Sequence, residues 1–222
     1  MRFLITAGPT REPIDPVRYI SNRSSGKMGY AIAEAAADAG HDVILISGPV
    51  NLQPPRDVKF VPVSTSDEMF EAVHAHAVES DVCVLCAAVA DYKPAKVSPV
   101  KIKKRDEQMS LALIRTRDIL KSLGQRENRA FVLVGFAAET DHVEQNAVKK
   151  LLEKNCDFIV ANDARVAMDN DENELLVLCR NGETQTFSRG PKSILARELV
   201  KIFFNFATKT FDKKNVMITE RR

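Results

Sequence analysis

Short apolar runs alternate along this sequence with segments of helical character. Continuous apolar runs are expected when both faces of a parallel sheet are covered, and the alternation indicates parallel strands joined by crossover helices. The predicted strands are Met1–Thr6, Val43–Ser47, Val58–Val63, Val82–Ala88, Phe131–Phe136 and Phe158–Val160, and the predicted helices are Lys27–Ala39, Thr65–Ser80 and Val143–Asn155. The sequence therefore predicts an α/β fold: a doubly wound, mostly parallel Rossmann-like sheet with helices on both faces.

Local signals support this reading at several element boundaries. Thr65 and Glu68 have the spacing of a helix capping box, and Gly40 is expected to end the first helix. Asn181-Gly182 predicts a β-hairpin as a C-terminal extension, about residues 165–190. Pro191 is expected to open a last helix to about Phe206, and the tail after Thr208 to fray. The residues of that helix predicted to face inward are Ile194, Leu195, Leu199, Ile202 and Phe203.

Composition narrows the class of protein. The chain has 222 residues, enough for a single domain over residues 1–222, and its formal net charge of +2 is too balanced to suggest a nucleic-acid binder. The sequence shows neither a signal peptide nor an apolar run long enough to span a membrane, so we expect a cytoplasmic protein. Cys83 and Cys86 have C-x-x-C spacing, but their apolar surroundings favour a buried strand over redox or metal chemistry.

The segment Ile14–Gly29 has the composition of an anion site. It follows a strand and a small-residue turn and leads into a helix, so backbone N–H groups and a helix N-terminus converge there. Gly26 and Gly29 leave room for close backbone approach, Ser24 offers a hydroxyl and Lys27 a positive charge. We interpret the segment as a phosphate-handling loop.

Other polar residues follow the predicted strands at the edge where ligands of doubly wound sheets bind. They lie in Thr6–Thr10, Ala87–Asp91, Phe136–Thr140 and Asn162–Asp163. One pocket could collect them all.

Each of these features can also have a purely structural explanation. The basic run Lys101–Arg105 can be a solvated segment, and Lys150 and Lys154 can be ordinary surface lysines of one helix face. Asp91 can cap a turn, and Phe136 can belong to the core.

A nicotinamide-dinucleotide site is disfavoured. The first turn reads A-G-P-T instead of G-x-G-x-x-G, and no acidic residue follows the second strand, which ends Ile46-Ser47-Gly48. A Rossmann NAD(P) oxidoreductase therefore remains only as an alternative, as does a non-catalytic nucleotide sensor.

Taken together, five segments resemble the phosphopantothenoylcysteine synthetases, the phosphopantothenate–cysteine ligases of coenzyme A biosynthesis. In chain order they are ITAGPTREPIDPVRYISNRSSGKMG (Ile5–Gly29), AAVADY (Ala87–Tyr92), KIKK (Lys101–Lys104), GFAAET (Gly135–Thr140) and AND (Ala161–Asp163). The resemblance covers essentially the whole chain. Because Met1 stands directly before the first strand, we expect a free-standing bacterial form.

The resemblance implies a two-step reaction. A nucleoside triphosphate activates the phosphopantothenate carboxylate as an acyl nucleotidylate and releases pyrophosphate, and the amine of L-cysteine then displaces the nucleoside monophosphate. CTP is the expected nucleotide and ATP the alternative, with Mg²⁺ to neutralise the phosphates.

The resemblance also implies roles for individual residues. Asn22 would hold the activated acyl group, and Lys101 would contact the nucleotide and assist its transformation. Residues implied to bind the nucleotide are Gly8, Ser24, Gly26, Gly29, Ala87, Asp91, Lys101, Arg117, Asp118, Ile119, Leu120, Phe136, Lys150, Lys154 and Asn162. Residues implied to bind the substrate are Arg18, Asn22, Ala87, Ala88 and Asp91. Asp118 is implied to help place a metal ion. Residues 117–120 read RDIL, and Thr116-Arg117 replace the Asn-Pro that commonly precedes Asp-Ile in this family.

The implied partners are phosphopantothenate, L-cysteine and a second copy of the chain. In the homodimer the hairpin region would contribute to the interface, and Arg18 would reach the substrate of the neighbouring protomer. A phosphopantothenoylcysteine decarboxylase is the implied functional partner.

Overall fold

The computed structural model describes residues 1–104, 107–163 and 170–219. Arg105 of the basic run and residues 165–169 of the predicted hairpin element lie outside the described residues. The described strands are β1 Arg2–Ala7, β2 Arg11–Pro13, β3 Tyr19–Ser21, β4 Asp42–Ser47, β5 Val58–Pro62, β6 Val82–Leu85, β7 Tyr92–Pro94, β8 Leu113–Arg115, β9 Val132–Glu139, β10 Phe158–Asp163, β11 Glu172–Cys179 and β12 Thr184–Pro191. The described helices are α1 Lys27–Asp38, α2 Ser66–Ala77, α3 Ile119–Gly124, α4 Val143–Glu153 and α5 Lys192–Thr219.

Eight strands form one sheet in the order β12-β11-β10-β9-β6-β1-β4-β5. The six strands from β10 to β5 are parallel, and β11 and β12 add an antiparallel hairpin at one edge. The chain runs from β1 to β4 and β5 on one side and then crosses to β6, β9 and β10 on the other. The strand order therefore reverses between β1 and β6, which is where ligands bind in sheets of this kind. The predicted fold class is confirmed.

Helices cover both faces of the sheet because successive strand residues point to opposite sides. Phe3 and Ile5 pack in the cluster that contains α1 and α5, whereas Leu4 packs in the cluster that contains α2, α3 and α4. Cys83 belongs to the second cluster, and Cys86 packs against the first. Burial raises the pKa of the Cys83 thiol and raises that of Cys86 to about 12. The C-x-x-C spacing thus places Cys83 buried on strand β6 and Cys86, which is half-buried, just after the strand and against the opposite face of the sheet.

Local sequence signals predicted the start of helix α2 correctly but not the end of helix α5. The capping box forms as predicted, with Glu68 N donating to Thr65 Oγ1 at 3.2 Å. The predicted end of the last helix near Phe206 is wrong: helix α5 continues to Thr219, because the sequence between Lys192 and Thr219 contains neither Gly nor Pro to stop it. Ile194, predicted to face inward, is 56% exposed.

Several predicted strand limits also shift. Strand β9 extends to Glu139 and β10 to Asp163, so their polar ends belong to the sheet itself. Strand β8, Leu113–Arg115, pairs with β7 in a separate small sheet. Strands β2 and β3 form a second small ribbon. The isolated bridge between Pro9 and Ala88 lies just beyond the ends of β1 and β6.

Among the described residues, no helix combines the length and apolar character needed to cross a membrane.

Candidate active site

A cavity of about 710 Å³ opens at the point where the strand order reverses. Thr6 of β1, Leu85 of β6 and Phe136 of β9 form its floor at the carboxyl ends of three adjacent strands. The cavity is lined by Thr6, Met69, Leu85, Ala87, Val89, Asp91, Tyr92, Arg115, Thr116, Arg117, Asp118, Ile119, Leu120, Lys121, Phe136, Lys150 and Lys154. Nine of the predicted nucleotide-binding residues are therefore together: Ala87, Asp91, Arg117, Asp118, Ile119, Leu120, Phe136, Lys150 and Lys154.

Lys150 carries a positive charge into this cavity. It projects from α4, and its Nζ donates a hydrogen bond to the carbonyl oxygen of Phe136 at 2.9 Å. Burial lowers the pKa of Lys150, whereas the neighbouring Glu139 carboxylate acts in the opposite direction. A partly desolvated ammonium that meets a carbonyl oxygen is prepared to attract a stronger anionic acceptor.

Asp118 and Lys154 form an ion pair in the same cavity. The other carboxylate oxygen of Asp118 accepts a hydrogen bond from Lys121 N at 2.8 Å and caps helix α3. Partial burial by itself raises the pKa of Asp118, but the hydrogen bonds from Lys154 and Lys121 N lower it, with a net pKa below the ordinary value.

These contacts bear on the predicted metal site. Both oxygens of Asp118 are already engaged by N–H donors. Among the described residues, no group of three or more His, Cys, Asp or Glu side chains could hold a metal ion. The described residues therefore do not fit a metal held by the protein alone, and a role of Asp118 toward Mg²⁺ stays a prediction.

Arg117 fastens one wall of the cavity to helix α2. Its guanidinium lies 3.8 Å from the centre of the Phe70 ring and donates to Glu71 Oε1 at 2.6 Å. Asp67 also pairs with Arg117, at 3.3 Å, and with Lys93. Arg117 thus fixes the backbone of residues 116–118 by contacts outside the cavity, where the resemblance leads us to expect a proline.

A second cavity, of about 490 Å³, lies over the start of helix α1. It is lined by Pro9, Arg11, Tyr19, Ser21, Asn22, Arg23, Ser24, Ser25, Lys27, Pro49, Val50, Asn51 and Leu52. Gly26 caps the helix with a left-handed φ of 76°, and a Cβ there would lie 3.3 Å from Gly8 N. Lys27 pairs with Asp171 at 2.6 Å.

Gly29 differs from the other predicted glycines. It lies in the first turn of α1, where a Cβ would lie 2.6 Å from Ala7 Cβ and 3.0 Å from Thr6 O. Close packing of the helix on β1 therefore explains why this position is glycine.

Asn22 connects the two cavities. It lines the second, and its Nδ2 donates to Ala88 O at 3.1 Å and to Val89 O at 3.2 Å. Ala87 and Val89 line the first cavity. The predicted acyl-holding residue is thus in contact with the segment that separates the two cavities.

Neither Lys101 nor Arg18 lines the 710 Å³ cavity, but Arg18 contacts the segment that carries Lys101. Lys101 is exposed and precedes Ile102, whose carbonyl oxygen accepts a hydrogen bond from Arg18 Nη2 at 2.9 Å. Arg18 also pairs with the buried Asp15 at 2.5 Å. Because of this pairing and further N–H donors, the pKa of Asp15 is well below its usual range.

Asn162 lies away from Phe136 in a third cavity of about 330 Å³. Its Nδ2 lies 3.4 Å from Oδ1 of the buried Asn173 on strand β11. The structure therefore does not bring Asn162 into the set of residues that line the main cavity.

Sequence reasoning missed three polar groups at these sites. Tyr92 and Arg115 lie opposite each other in the β7–β8 pair, and both line the main cavity. The two residues are 23 positions apart in sequence, and only the pairing of β7 with β8 brings them together. Asp15 was missed because its key partner, Ile102, is 87 residues away in sequence.

The fold and the site together define an α/β domain with a cationic ligand cavity at the carboxyl edge of a doubly wound sheet. Residues 1–206 match the family described as DNA/pantothenate metabolism flavoprotein C-terminal domain, and the chain belongs to that family.

Relatives and a solved structure agree with this family assignment. The coenzyme A biosynthesis bifunctional protein CoaBC of Vibrio vulnificus (strain CMCP6) is 45% identical over 205 residues, which are 90% of this chain and 51% of the relative. CoaBC of Bacillus subtilis (strain 168) is 54% identical over 163 residues, or 73% and 40% of the two chains. The crystal structure of the C-terminal domain of CoaBC has a TM-score of 0.80 at 45% identity and covers 95% of this chain and 96% of that one. The chain spans about half the length of the curated relatives it matches.

Proposed function

We propose that this chain is a phosphopantothenate–cysteine ligase of coenzyme A biosynthesis. It would join 4′-phosphopantothenate to L-cysteine through an acyl-nucleotidylate intermediate and release pyrophosphate and a nucleoside monophosphate. The observation that carries the proposal is the cavity at the strand-order reversal, where Lys150 and Lys154 converge beside Phe136. Membership of a pantothenate-metabolism family supports the choice of substrate.

The activation step brings two anions together, a carboxylate and a triphosphate. Positive charge and oriented N–H donors in a partly desolvated site reduce that repulsion and stabilise the charge that develops. Lys150 and Lys154 supply charge from α4, and the 117–120 segment supplies backbone groups. We propose CTP as the nucleotide, giving CMP, with ATP as the alternative. Phe136 is proposed to line the nucleotide site, and Gly8, Ser24 and Gly26, at the start of α1, to lie near its phosphates. Asn162 and Gly29 are not assigned a contact with the nucleotide, because Asn162 lines a separate cavity and Gly29 packs against β1.

Mg²⁺ is proposed to enter with the nucleotide. Magnesium is commonly bound by one or two carboxylates together with substrate phosphates, so it does not require a cluster of protein ligands. Asp118 could contribute one carboxylate if Lys154 turned toward the phosphates. The bound ion would neutralise phosphate charge during activation.

The second step requires the acyl carbon to stay fixed while the amine of cysteine attacks. Asn22, which is hydrogen-bonded to Ala88 O and Val89 O, is proposed to hold the acyl group, while Ala87, Ala88 and Asp91 border the substrate. Lys101 is proposed to act on the nucleotide through its exposed side chain, which would reach toward the main cavity.

We further propose a cytoplasmic homodimer in which Arg18 reaches the substrate of the neighbouring protomer and the β11–β12 hairpin contributes to the interface. A phosphopantothenoylcysteine decarboxylase, as a fused domain or a separate protein, would consume the product.

One assay tests the reaction. The protein is incubated with phosphopantothenate, L-cysteine and Mg²⁺, with CTP or ATP in turn, and pyrophosphate and the amide product are measured. We expect pyrophosphate release only when phosphopantothenate and a nucleotide are both present, and amide formation only after cysteine is added. Nucleotide binding without pyrophosphate release would instead identify a sensor, and NAD(P)H turnover an oxidoreductase. Pantothenate without its phosphate serves as the control substrate.

A further inference from the structure

The Asp15 carboxylate lies where two functional segments of the chain meet. It is 3% exposed, although the surrounding turn of residues 16–19 is at the surface. Oδ1 accepts hydrogen bonds from Val17 N and Arg18 N, both at 2.9 Å. Oδ2 accepts from Arg18 Nε at 3.0 Å, from Arg18 Nη2 at 2.5 Å and from Ile102 N at 3.1 Å. One buried carboxylate therefore organises its own turn and holds a segment 87 residues away.

The segment that Asp15 holds is the one that carries Lys101. Residues 98–102 lie against the 14–18 turn through the Ile102 N–H bond to Asp15, the Arg18 bond to Ile102 O, and a hydrogen bond from Ser98 N to Ile14 O at 2.9 Å. The described residues 101–104 have no helix or strand of their own. Two of the three contacts depend directly on Asp15 or on the guanidinium that it orients.

The same turn is linked rigidly to Asn22. Strands β2 and β3 bracket it, with Pro13 paired to Tyr19 and Arg11 paired to Ser21, and Asn22 follows β3 directly. Asn22 in turn donates to Ala88 O and Val89 O. The ribbon thus has the Lys101 segment docked at its turn and the Ala88–Val89 segment docked at its base.

We propose that Asp15 is a positioning residue that docks the Lys101 segment onto the ribbon that carries Asn22. The dock fixes the backbone beside Lys101 while its side chain stays free to reach toward the nucleotide. The contacts alone support the docking of the Lys101 segment. The expected effect of this docking on the reaction rate rests on the proposed ligase function.

Asp15→Asn is the variant that tests the dock. It keeps an oxygen for Val17 N and Arg18 N but turns an NH₂ group toward three N–H donors, which cannot be satisfied together. The matched control is Glu12→Gln, because Glu12 is also buried on the ribbon but accepts from Ser66 N at 2.8 Å, away from the Lys101 segment.

The first measurement uses no substrate. Limited trypsin digestion reports the rate of cleavage after Lys101, Lys103 and Lys104 in the native protein. We expect Asp15→Asn to accelerate cleavage there by at least tenfold relative to wild type and Glu12→Gln, without matching acceleration at other sites. Equal cleavage rates in Asp15→Asn and wild type would overturn the dock, even if the ligase function were correct.

The second measurement is a double-mutant comparison in the pyrophosphate assay. Misplacing a group by an ångström can cost roughly 100-fold in rate, so we expect Asp15→Asn to lower kcat for activation by roughly 10- to 100-fold. In a Lys101→Gln background the same substitution should lower the rate much less than it does in wild type, because its main effect passes through Lys101. Any remaining loss measures the effect that passes through Arg18, whose guanidinium Asp15 also orients. If the rate losses of Asp15→Asn and Lys101→Gln were fully additive, the positioning role would be overturned. If the wild-type protein released no pyrophosphate, the ligase function would be rejected, and the digestion experiment alone would test the docking of the Lys101 segment.

If Asp15→Asn does not fold, Ile102→Pro provides the same test. It removes the N–H that donates to Asp15 and lies in a segment without helix or strand. Because trypsin does not cleave a Lys–Pro bond, the accelerated cleavage is expected after Lys103 and Lys104 only. The same loss of effect in the Lys101→Gln background is expected, and the absence of either result overturns the proposal.

Discussion

Lys154, the C-cap residue of helix α4, forms an ion pair with Asp118, the N-cap residue of helix α3, and both line the main cavity. Asp118 therefore has two functions in the structure: it caps a short helix, and it holds a lysine that we propose to meet phosphate. The pairing keeps the Lys154 ammonium at the cavity wall before any ligand arrives. If Lys154 instead contacted a phosphate, its ion pair with Asp118 would break and one carboxylate oxygen of Asp118 would become available.

The cap at Asp118 gives the first prediction. Asp118→Ala should lower the free energy of unfolding by about 1 kcal/mol, because the acceptor for Lys121 N is lost, whereas Asp118→Asn should cost less because it keeps an acceptor. The pKa of Asp118 is lowered in the folded protein, so the stabilisation by its charge is present above the ordinary aspartate value of 3.8 and is lost as the pH falls below it. Urea unfolding at neutral and acidic pH measures both effects. A wild-type advantage over Asp118→Asn that stays constant through this range would contradict the assignment.

Lys150 gives the second prediction. Lys150→Met should weaken nucleotide binding by at least tenfold, because a hydrogen bond to a charged partner contributes about 1.5–3 kcal/mol. Burial lowers the pKa of Lys150, so wild-type affinity should decline on the alkaline side at a lower pH than an ordinary lysine would give. Lys149→Met is the matched control, since Lys149 lies on the same helix with its side chain 72% exposed. Calorimetric titration with CTP and ATP measures the affinities, and equal losses in the two variants would remove Lys150 from the site.

The sequence was most informative where structure depends on local rules. The apolar runs predicted six of the eight strands of the main sheet, Thr65 and Glu68 predicted the start of α2, and Asn181-Gly182 predicted the hairpin. The end of α5 was missed because polar residues after Thr208 resemble a frayed tail, although no helix breaker is present. The exposure of Ile194 depends on how α5 packs on the sheet, which periodicity alone does not fix.

The candidate site depends on contacts between distant parts of the chain. Strand ends could be assigned to one edge of the sheet, which is why Thr6, Ala87 and Phe136 were expected together, whereas the place of Lys150 was implied only by the family resemblance. No local pattern indicated that Asn22 would contact Ala88 and Val89, which are 66 and 67 positions away, or that Asn162 would lie beside Asn173. Such pairings arise from side-chain directions in the folded chain.

Gly29 gives a prediction about packing. Gly29→Ala gains about 1 kcal/mol of helix propensity, but the added Cβ lies 2.6 Å from Ala7 Cβ, and overpacking costs about 1–3 kcal/mol. We expect a net loss of stability in urea unfolding. Gly190→Ala is the control, because a Cβ there meets only Ser188 O at 3.8 Å. A variant Gly29→Ala as stable as wild type would show that helix α1 does not depend on this close approach.

Arg18 gives a prediction about the proposed dimer. Its contacts with Asp15 and Ile102 lie within its own chain, whereas the proposed substrate contact lies across the dimer. Arg18→Ala should abolish activity in a homodimer. If Arg18 acts across the interface, a mixed dimer of Arg18→Ala and Asn22→Asp contains one site with both native residues. Its activity should then be about half that of the wild-type dimer. Mixed dimers without activity would assign Arg18 to its own protomer.

Asn22 gives the prediction that separates the two chemical steps. In Asn22→Asp the carboxylate cannot donate to Ala88 O or Val89 O, and it places negative charge beside the proposed acyl group. Amide formation should therefore slow by at least tenfold more than activation, because losing a positioned donor in an acyl-transfer site costs about 100- to 1,000-fold. Rapid-quench analysis should show the acyl nucleotidylate accumulating, trapped with hydroxylamine. Asn22→Leu, which removes the donors without adding charge, should slow amide formation less. If Asn22→Asp slowed activation and amide formation equally, Asn22 would have no specific role in acyl transfer. A residue that holds the acyl nucleotidylate should affect its reaction with cysteine more than its formation.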